Sequence, residues 1–169
     1  IDYVDNKKII PVGVFVNKPL NEIKKIIKKT CLKHIQLHGN EDNNYINQLK
    51  KEFDLQIIKS IGINNKDDLK KMDDLQLSDY FLFDYKPKIK EELPGGNAKK
   101  FNWEIIKNLQ ITKSWFLSGG INEFNIKNAL NIKNAYGLDI SSGVEDKPGI
   151  KNTKKIKNII DVVKKYDEY

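Results

Sequence analysis

Arginine is missing from this sequence, so all 30 residues counted as Lys or Arg are lysine. The absence bears on partners. Arginine's planar fork reads phosphates and guanines in pairs, whereas lysine is a well-hydrated point charge. A formal charge of +7 and a pI near 9.2 therefore read as a solvated lysine surface, and no nucleic-acid partner is expected. Cysteine is nearly absent too. A lone Cys31 excludes an internal disulfide and fits a reducing, cytoplasmic setting. It falls between a helix and a strand and reads as a buried structural thiol. No apolar run is long enough to cross a bilayer, and the opening IDYVDNKK lacks the apolar core of a signal peptide. No membrane partner is expected. With two histidines and one cysteine, no cluster has metal-ligand spacing, so neither a metal nor another cofactor is expected. No Asn-Gly pair joins two strands, and no shift in composition divides the chain.

What is present alternates. Short, almost wholly apolar runs occur at Val12–Val16, His34–His38, Leu55–Ile61, Tyr80–Phe83, Ser114–Ser118 and Tyr136–Ile140. Such runs suit strands covered on both faces. Between them lies helical periodicity. Leu20, Ile23, Ile26 and Ile27 share a face after Pro19, and Ile46, Leu49 and Phe53 form a second stripe. A short helix is expected over Lys66–Met72 and another around Trp103, Ile106 and Leu109. A further one carries Phe124, Ile126, Ala129 and Leu130. The last carries Ile156, Ile159, Ile160 and Val163, with Asn152 or Thr153 as its N-cap. Six βα units in series predict a parallel sheet with right-handed crossovers. The one long irregular stretch, Tyr85–Lys100, holds Pro87, Pro94, Gly95 and Gly96; it reads as a functional loop or a surface excursion.

In parallel α/β folds, ligands meet the carboxyl ends of strands. Two of these ends are rich in Ser and Gly: Ser118, Gly119 and Gly120, then Ser141, Ser142 and Gly143. Glycine lets backbone N–H groups approach an anion, and serine adds hydroxyl donors. Tight turns would explain either loop alone; two on successive strands favour a phosphate. Asp84 follows an apolar strand, where a carboxyl can serve as general acid or simply cap a loop. His38 ends its strand as a packed histidine or as a site residue. His34, at the opposite end of that strand, reads as structural.

Several segments together resemble one family, the phosphoribosylanthranilate isomerases of tryptophan biosynthesis. Ile35–Gly39 (IQLHG) with Glu41 is similar to the family's fourth-strand motif. Leu82–Asp84 (LFD), the Gly95–Gly96 loop and Phe101–Trp103 (FNW) resemble LFD…GG(T/S)G…FDW. Trp115–Asn122 (WFLSGGIN) and Tyr136–Asn152 (YGLDISSGVEDKPGIKN) resemble the last two strand motifs, the second very specifically. The resemblance implies a (β/α)8 TIM-barrel, with strands three to eight in this chain and residues 1–169 forming one N-terminally incomplete domain. Such barrels usually need roughly 200 residues or more.

The resemblance also implies an Amadori rearrangement of N-(5-phosphoribosyl)anthranilate, a phosphorylated small molecule, to 1-(o-carboxyphenylamino)-1-deoxyribulose 5-phosphate. It assigns Asp84 as general acid, His38 and Asp139 to substrate binding, and Gly119, Gly120, Ser141, Ser142 and Gly143 to the phosphate. It requires no cofactor, and leaves room for fusion to or association with other tryptophan-pathway enzymes. Some family features are not in the sequence. The K-x-C-G motif that supplies the base and the second-strand S-x-R segment are both missing. GGNA stands for GG(T/S)G, and Asn102 for the Asp of FDW. Competing readings are a catalytically silent phosphate-ligand binder, a lysine-rich nucleic-acid binder, and a neighbouring phosphate-binding barrel.

Overall fold

The computed structural model of the chain describes residues 9–86 and 101–167. Six strands form one parallel sheet: β1 (Val12–Phe15), β2 (His34–Leu37), β3 (Gln56–Ile63), β4 (Tyr80–Tyr85), β5 (Trp115–Leu117) and β6 (Gly137–Leu138). Each pairs with its neighbour in sequence, in the order β1 to β6. Helices α1 (Leu20–Thr30), α2 (Asn43–Lys50) and α3 (Ile126–Leu130) and a 3-10 helix at Lys66–Leu75 lie in crossovers, and α4 (Thr153–Asp167) follows the last strand.

Alternation along the strands separates two faces. Ile35, Leu37, Ile57, Ile61, Ile63, Phe81, Phe83, Trp115 and Leu117 are buried and pack with helix residues such as Ile23, Ile46, Ile126 and Ile159. The other face carries Val12, Val14, Gln36, Ser60, Tyr80, Leu82 and Phe116. There β1 is bare, with Val12 39% and Val14 59% exposed. The expectation of strands covered on both faces therefore fails at β1, which has no neighbour on its outer side among the described residues.

Local chemistry sets the helix starts. Asp42 caps α2 by accepting the Tyr45 N–H (2.8 Å), and Asn152 caps α4 by accepting the Lys155 N–H (3.0 Å). Before the 3-10 helix, Asp68 accepts the N–H groups of Asn64 (2.9 Å) and Asn65 (3.2 Å). Its other oxygen pairs with Lys86 (2.8 Å) and Lys71 (3.3 Å). Burial pushes the Asp68 carboxyl upward, but Lys86, the two N–H groups and Lys71 outweigh it and hold the pKa at about 2. A depressed carboxylate pKa stabilises the fold above the unfolded value, near 4, and that contribution disappears as pH falls through about 2. Asp68→Ala is thus expected to cost about 2 kcal/mol at neutral pH. In urea titrations the gap from wild type should narrow below pH about 4; a gap constant down to pH 2 would detach it from this ionisation.

Five other expectations need correction. Cys31 is exposed rather than buried; it ends α1 in the left-handed conformation (φ 53°), which turns its side chain off the apolar stripe. The segment after Phe101 forms a short 3-10 turn, Trp103–Ile105, in place of a longer helix. Phe124 is 97% exposed and lies before α3, in a turn where Asn122 Oδ1 accepts its N–H. The segment from Lys66 is 3-10 and runs on to Leu75. A hairpin joins β7 (Glu145–Lys147) to β8 (Ile150–Lys151). Its signal was Pro148-Gly149, where Pro at the first central position and Gly149 at φ 80° suit a type II turn, a less common hairpin turn than the type I′ of Asn-Gly. The Gly95–Gly96 loop lies outside the described residues.

Candidate active site

Residues just beyond the strand ends, on the face away from the helices, converge. Asp84 sits near the end of β4, opposite Gly62 of β3, and is 6% exposed. Its Oδ2 lies 3.3 Å from His38 Nε2, and its Oδ1 accepts the Tyr85 N–H at 2.7 Å. His38 extends the β1–β2 ladder, its N–H reaching Phe15 O at 2.8 Å. The Gln36 amide nitrogen stands 2.8 Å from His38 Nδ1. With that amide donating, the imidazole proton belongs on Nε2, directed at Asp84.

A second carboxylate faces the first from two strands away. Asp139 follows β6 and accepts the Ser118 hydroxyl at 3.0 Å. Burial raises its pKa. The Ser118 hydrogen bond opposes that rise, the charge of Asp84 adds to it, and His38 and Lys151 pull the other way. Asp84 and Asp139 thus lie close enough for the charge of one to act on the other, as carboxyls of a candidate site do.

Beside them lie the Ser/Gly loops. Gly119 and Gly120 have φ of 91° and 69°. A Cβ on Gly119 would stand 3.4 Å from Asp84 Oδ1, so this backbone passes directly over the acid. Gly143 presses on the first loop so closely that a Cβ there would collide with the Ile121 carbonyl oxygen. Ser142 opens a 3-10 turn, Ser142–Val144. Lys151 donates to Ser141 O (2.9 Å) and Oγ (3.0 Å) and pairs with Glu145 (2.6 Å). That places a cation at the rim of the second loop, a role not read from the sequence.

A cavity of about 430 Å³ opens next to Asp84 and His38, lined also by Asn17, Gly39, Glu41 and Lys59. Lys59 was missed as well. A lysine within an apolar strand looks like a solvent-facing interruption, yet it is 2% exposed and paired with Glu41 at 3.2 Å. No group of three or more His, Cys, Asp or Glu among the described residues could hold a metal ion. No described helix is long and apolar enough to cross a membrane.

The chain is similar to known proteins of one family. A family model described as N-(5'phosphoribosyl)anthranilate (PRA) isomerase matches residues 3–162. An N-(5'-phosphoribosyl)anthranilate isomerase of Bacillus cereus is 38% identical over 124 residues, covering 72% of this chain and 57% of the relative. The chain thus spans a little over half the length of that relative. The phosphoribosyl anthranilate isomerase of Thermus thermophilus superposes with a TM-score of 0.81 at 23% identity, over 98% of this chain and 77% of that one, a likeness of fold. A phosphoribosyl anthranilate isomerase solved with reduced 1-(o-carboxyphenylamino)-1-deoxyribulose 5-phosphate matches 94% of this chain and 73% of its own, with a TM-score of 0.74 and 26% identity.

Proposed function

The chain belongs to the N-(5'-phosphoribosyl)anthranilate isomerase family, and from that premise we propose that the protein it forms part of catalyses the Amadori rearrangement of N-(5-phosphoribosyl)anthranilate. The product is 1-(o-carboxyphenylamino)-1-deoxyribulose 5-phosphate. The observation that carries the reading is the Asp84–His38 pair beneath the Gly119 backbone. It joins a proton donor to an anion cradle, which ring opening of a sugar phosphate requires.

Asp84 delivers a proton to the ribose ring oxygen. The C1–O bond breaks as the anthranilate nitrogen lone pair forms C1=N. A base then takes the C2 proton, and the enolamine tautomerises to the ketone. The sequence holds no K-x-C-G motif to supply that base. His38 orients Asp84 and, with Asp139, contacts the substrate. Gly119, Gly120, Ser141, Ser142 and Gly143 hold the phosphate. We infer further that β1 to β6 are strands three to eight of a (β/α)8 barrel, with residues 1–169 one N-terminally incomplete domain. The bare valine face of β1 and the 77% coverage of the Thermus thermophilus chain support this. The reading carries a cytoplasmic location with it, and is compatible with fusion to or association with other tryptophan-pathway enzymes.

The direct test generates phosphoribosylanthranilate in situ and follows its fluorescence with the whole protein. Rapid decay supports the isomerase. No turnover from a folded protein that still binds phosphate favours a silent binder. The phosphate loops have their own check. Gly143→Val forces the second loop off Ile121, and hydrogen bonds to a charged group contribute about 1.5–3 kcal/mol. KM should therefore rise about tenfold to a hundredfold, with kcat changed far less. An unchanged KM would remove this loop from the phosphate site.

A further inference from the structure

Three oxygens converge on the Lys59 ammonium. Nζ donates to Leu37 O at 3.1 Å, to Gly39 O at 2.6 Å and to Glu41 Oε2 at 3.2 Å, which uses all three of its protons. Leu37 and Gly39 are the residues on either side of His38. Glu41, 5% exposed, also accepts the N–H groups of Gly39 (2.9 Å) and Asn17 (2.6 Å), while Asn17 Oδ1 accepts the Asn40 N–H at 2.7 Å. The loop bearing His38 is therefore tied down on both sides of the imidazole and fastened to the end of β1.

Stability gives little reason for this pair. Desolvating two charges is costly, and apolar side chains of similar volume often do as well or better. Methionine at position 59 would suit the helix-facing layer, beside Ile57 and Ile61. Burial lowers the Lys59 pKa and Glu41 restores part of it. What the pair does provide is direction. Among the described residues, its hydrogen bonds go to the His38 loop and to Asn17.

We propose that Lys59, with Glu41 as its counter-charge, is a positioning residue that fixes the peptide units flanking His38 and so keeps the imidazole Nε2 on Asp84. The inference rests on the isomerase reading. Lys59 lies on the opposite face of the sheet from Asp84 and acts through His38. Misplacement of a catalytic group by about 1 Å can cost about a hundredfold in rate. Lys59→Met is expected to lower kcat by about ten- to a hundredfold, with little change in KM.

The test uses the whole protein and the variants Lys59→Met, His38→Asn, their combination, and Glu41→Gln with Lys59→Met. Turnover of phosphoribosylanthranilate, thermal midpoint and nitrogen NMR of the two histidine rings are measured. Three results are expected. The combined His38/Lys59 variant is no slower than His38→Asn alone, because both substitutions break one unit. The Glu41/Lys59 variant, free of an orphaned charge, recovers the thermal midpoint but not kcat. The His38 ring, protonated at Nε2 in the wild type, becomes a tautomer mixture in Lys59→Met. Additive losses, a kcat restored by the Glu41/Lys59 variant, or unchanged ring signals would each overturn the proposal. Should the wild type leave phosphoribosylanthranilate untouched, the isomerase reading falls, and the ring spectra still decide whether Lys59 holds His38.

Discussion

Asp84→Asn is expected to lower turnover by a factor of about 10² to 10⁴, the usual contribution of a positioned acid. The substitution keeps the volume of the side chain and an oxygen able to accept the Tyr85 N–H, now at 2.7 Å. It removes the transferable proton. With that oxygen kept on Tyr85, the amide nitrogen faces the Nε2 proton of His38 across the 3.3 Å gap, so the His38 hydrogen bond is lost while the strand ladder still holds both residues in place. Binding of inorganic phosphate should survive, because the loops proposed to hold the anion owe their shape to Gly119, Gly120 and Gly143. Single-turnover fluorescence and phosphate calorimetry on the same preparation separate the two effects. Turnover that matches wild type would take Asp84 out of the mechanism. Loss of both turnover and phosphate binding would mean the substitution acts through loop geometry.

The second large effect lies in the core. Trp115 is 1% exposed, and its ring lies 5.3 Å from that of Phe83 at 57°. It packs in the cluster that joins β3, β4 and β5 to α3 and α4. Trp→Ala in such a site removes the largest apolar surface of the layer and leaves a cavity, at a cost of about 3–5 kcal/mol. Domains have about 5–15 kcal/mol in total, so a large share of the stability is at stake. Urea unfolding should show a lower midpoint with an unchanged slope, and Trp115→Phe should recover much of the loss. A loss below about 1 kcal/mol would show that the layer can close over the gap.

The strand ladder was legible because each buried strand is a short apolar run set off by polar helices. The juxtaposition of Asp84, His38, Ser118 and Asp139 was partly legible for the same reason. Each stands at or just past a strand end with the parity of the open face, so one rule of alternation groups them. Lys59 escaped that rule. Its parity sends it to the apolar layer, and nothing in a linear sequence tells a buried, fully bonded ammonium from one that reaches water. Cys31 was misjudged because a left-handed cap, set by local backbone geometry, redirects one side chain. The β7–β8 hairpin was overlooked by searching for Asn-Gly, whereas Pro148-Gly149 closes it with the rarer type II signal. The bare face of β1 reflects which strands are side by side, a long-range fact that composition does not encode.

The sheet's order, β1 through β6 with no strand out of turn, bears on how the molecule is made. Every pairing links strands separated by a single crossover, so each closure involves a short segment and little lost chain entropy. A chain emerging from the ribosome can add strands one by one onto an edge already in place, without waiting for distant sequence. In a closed barrel the seam between first and last strands would be the exception, since that pairing joins the segments farthest apart in sequence and carries the largest closure entropy.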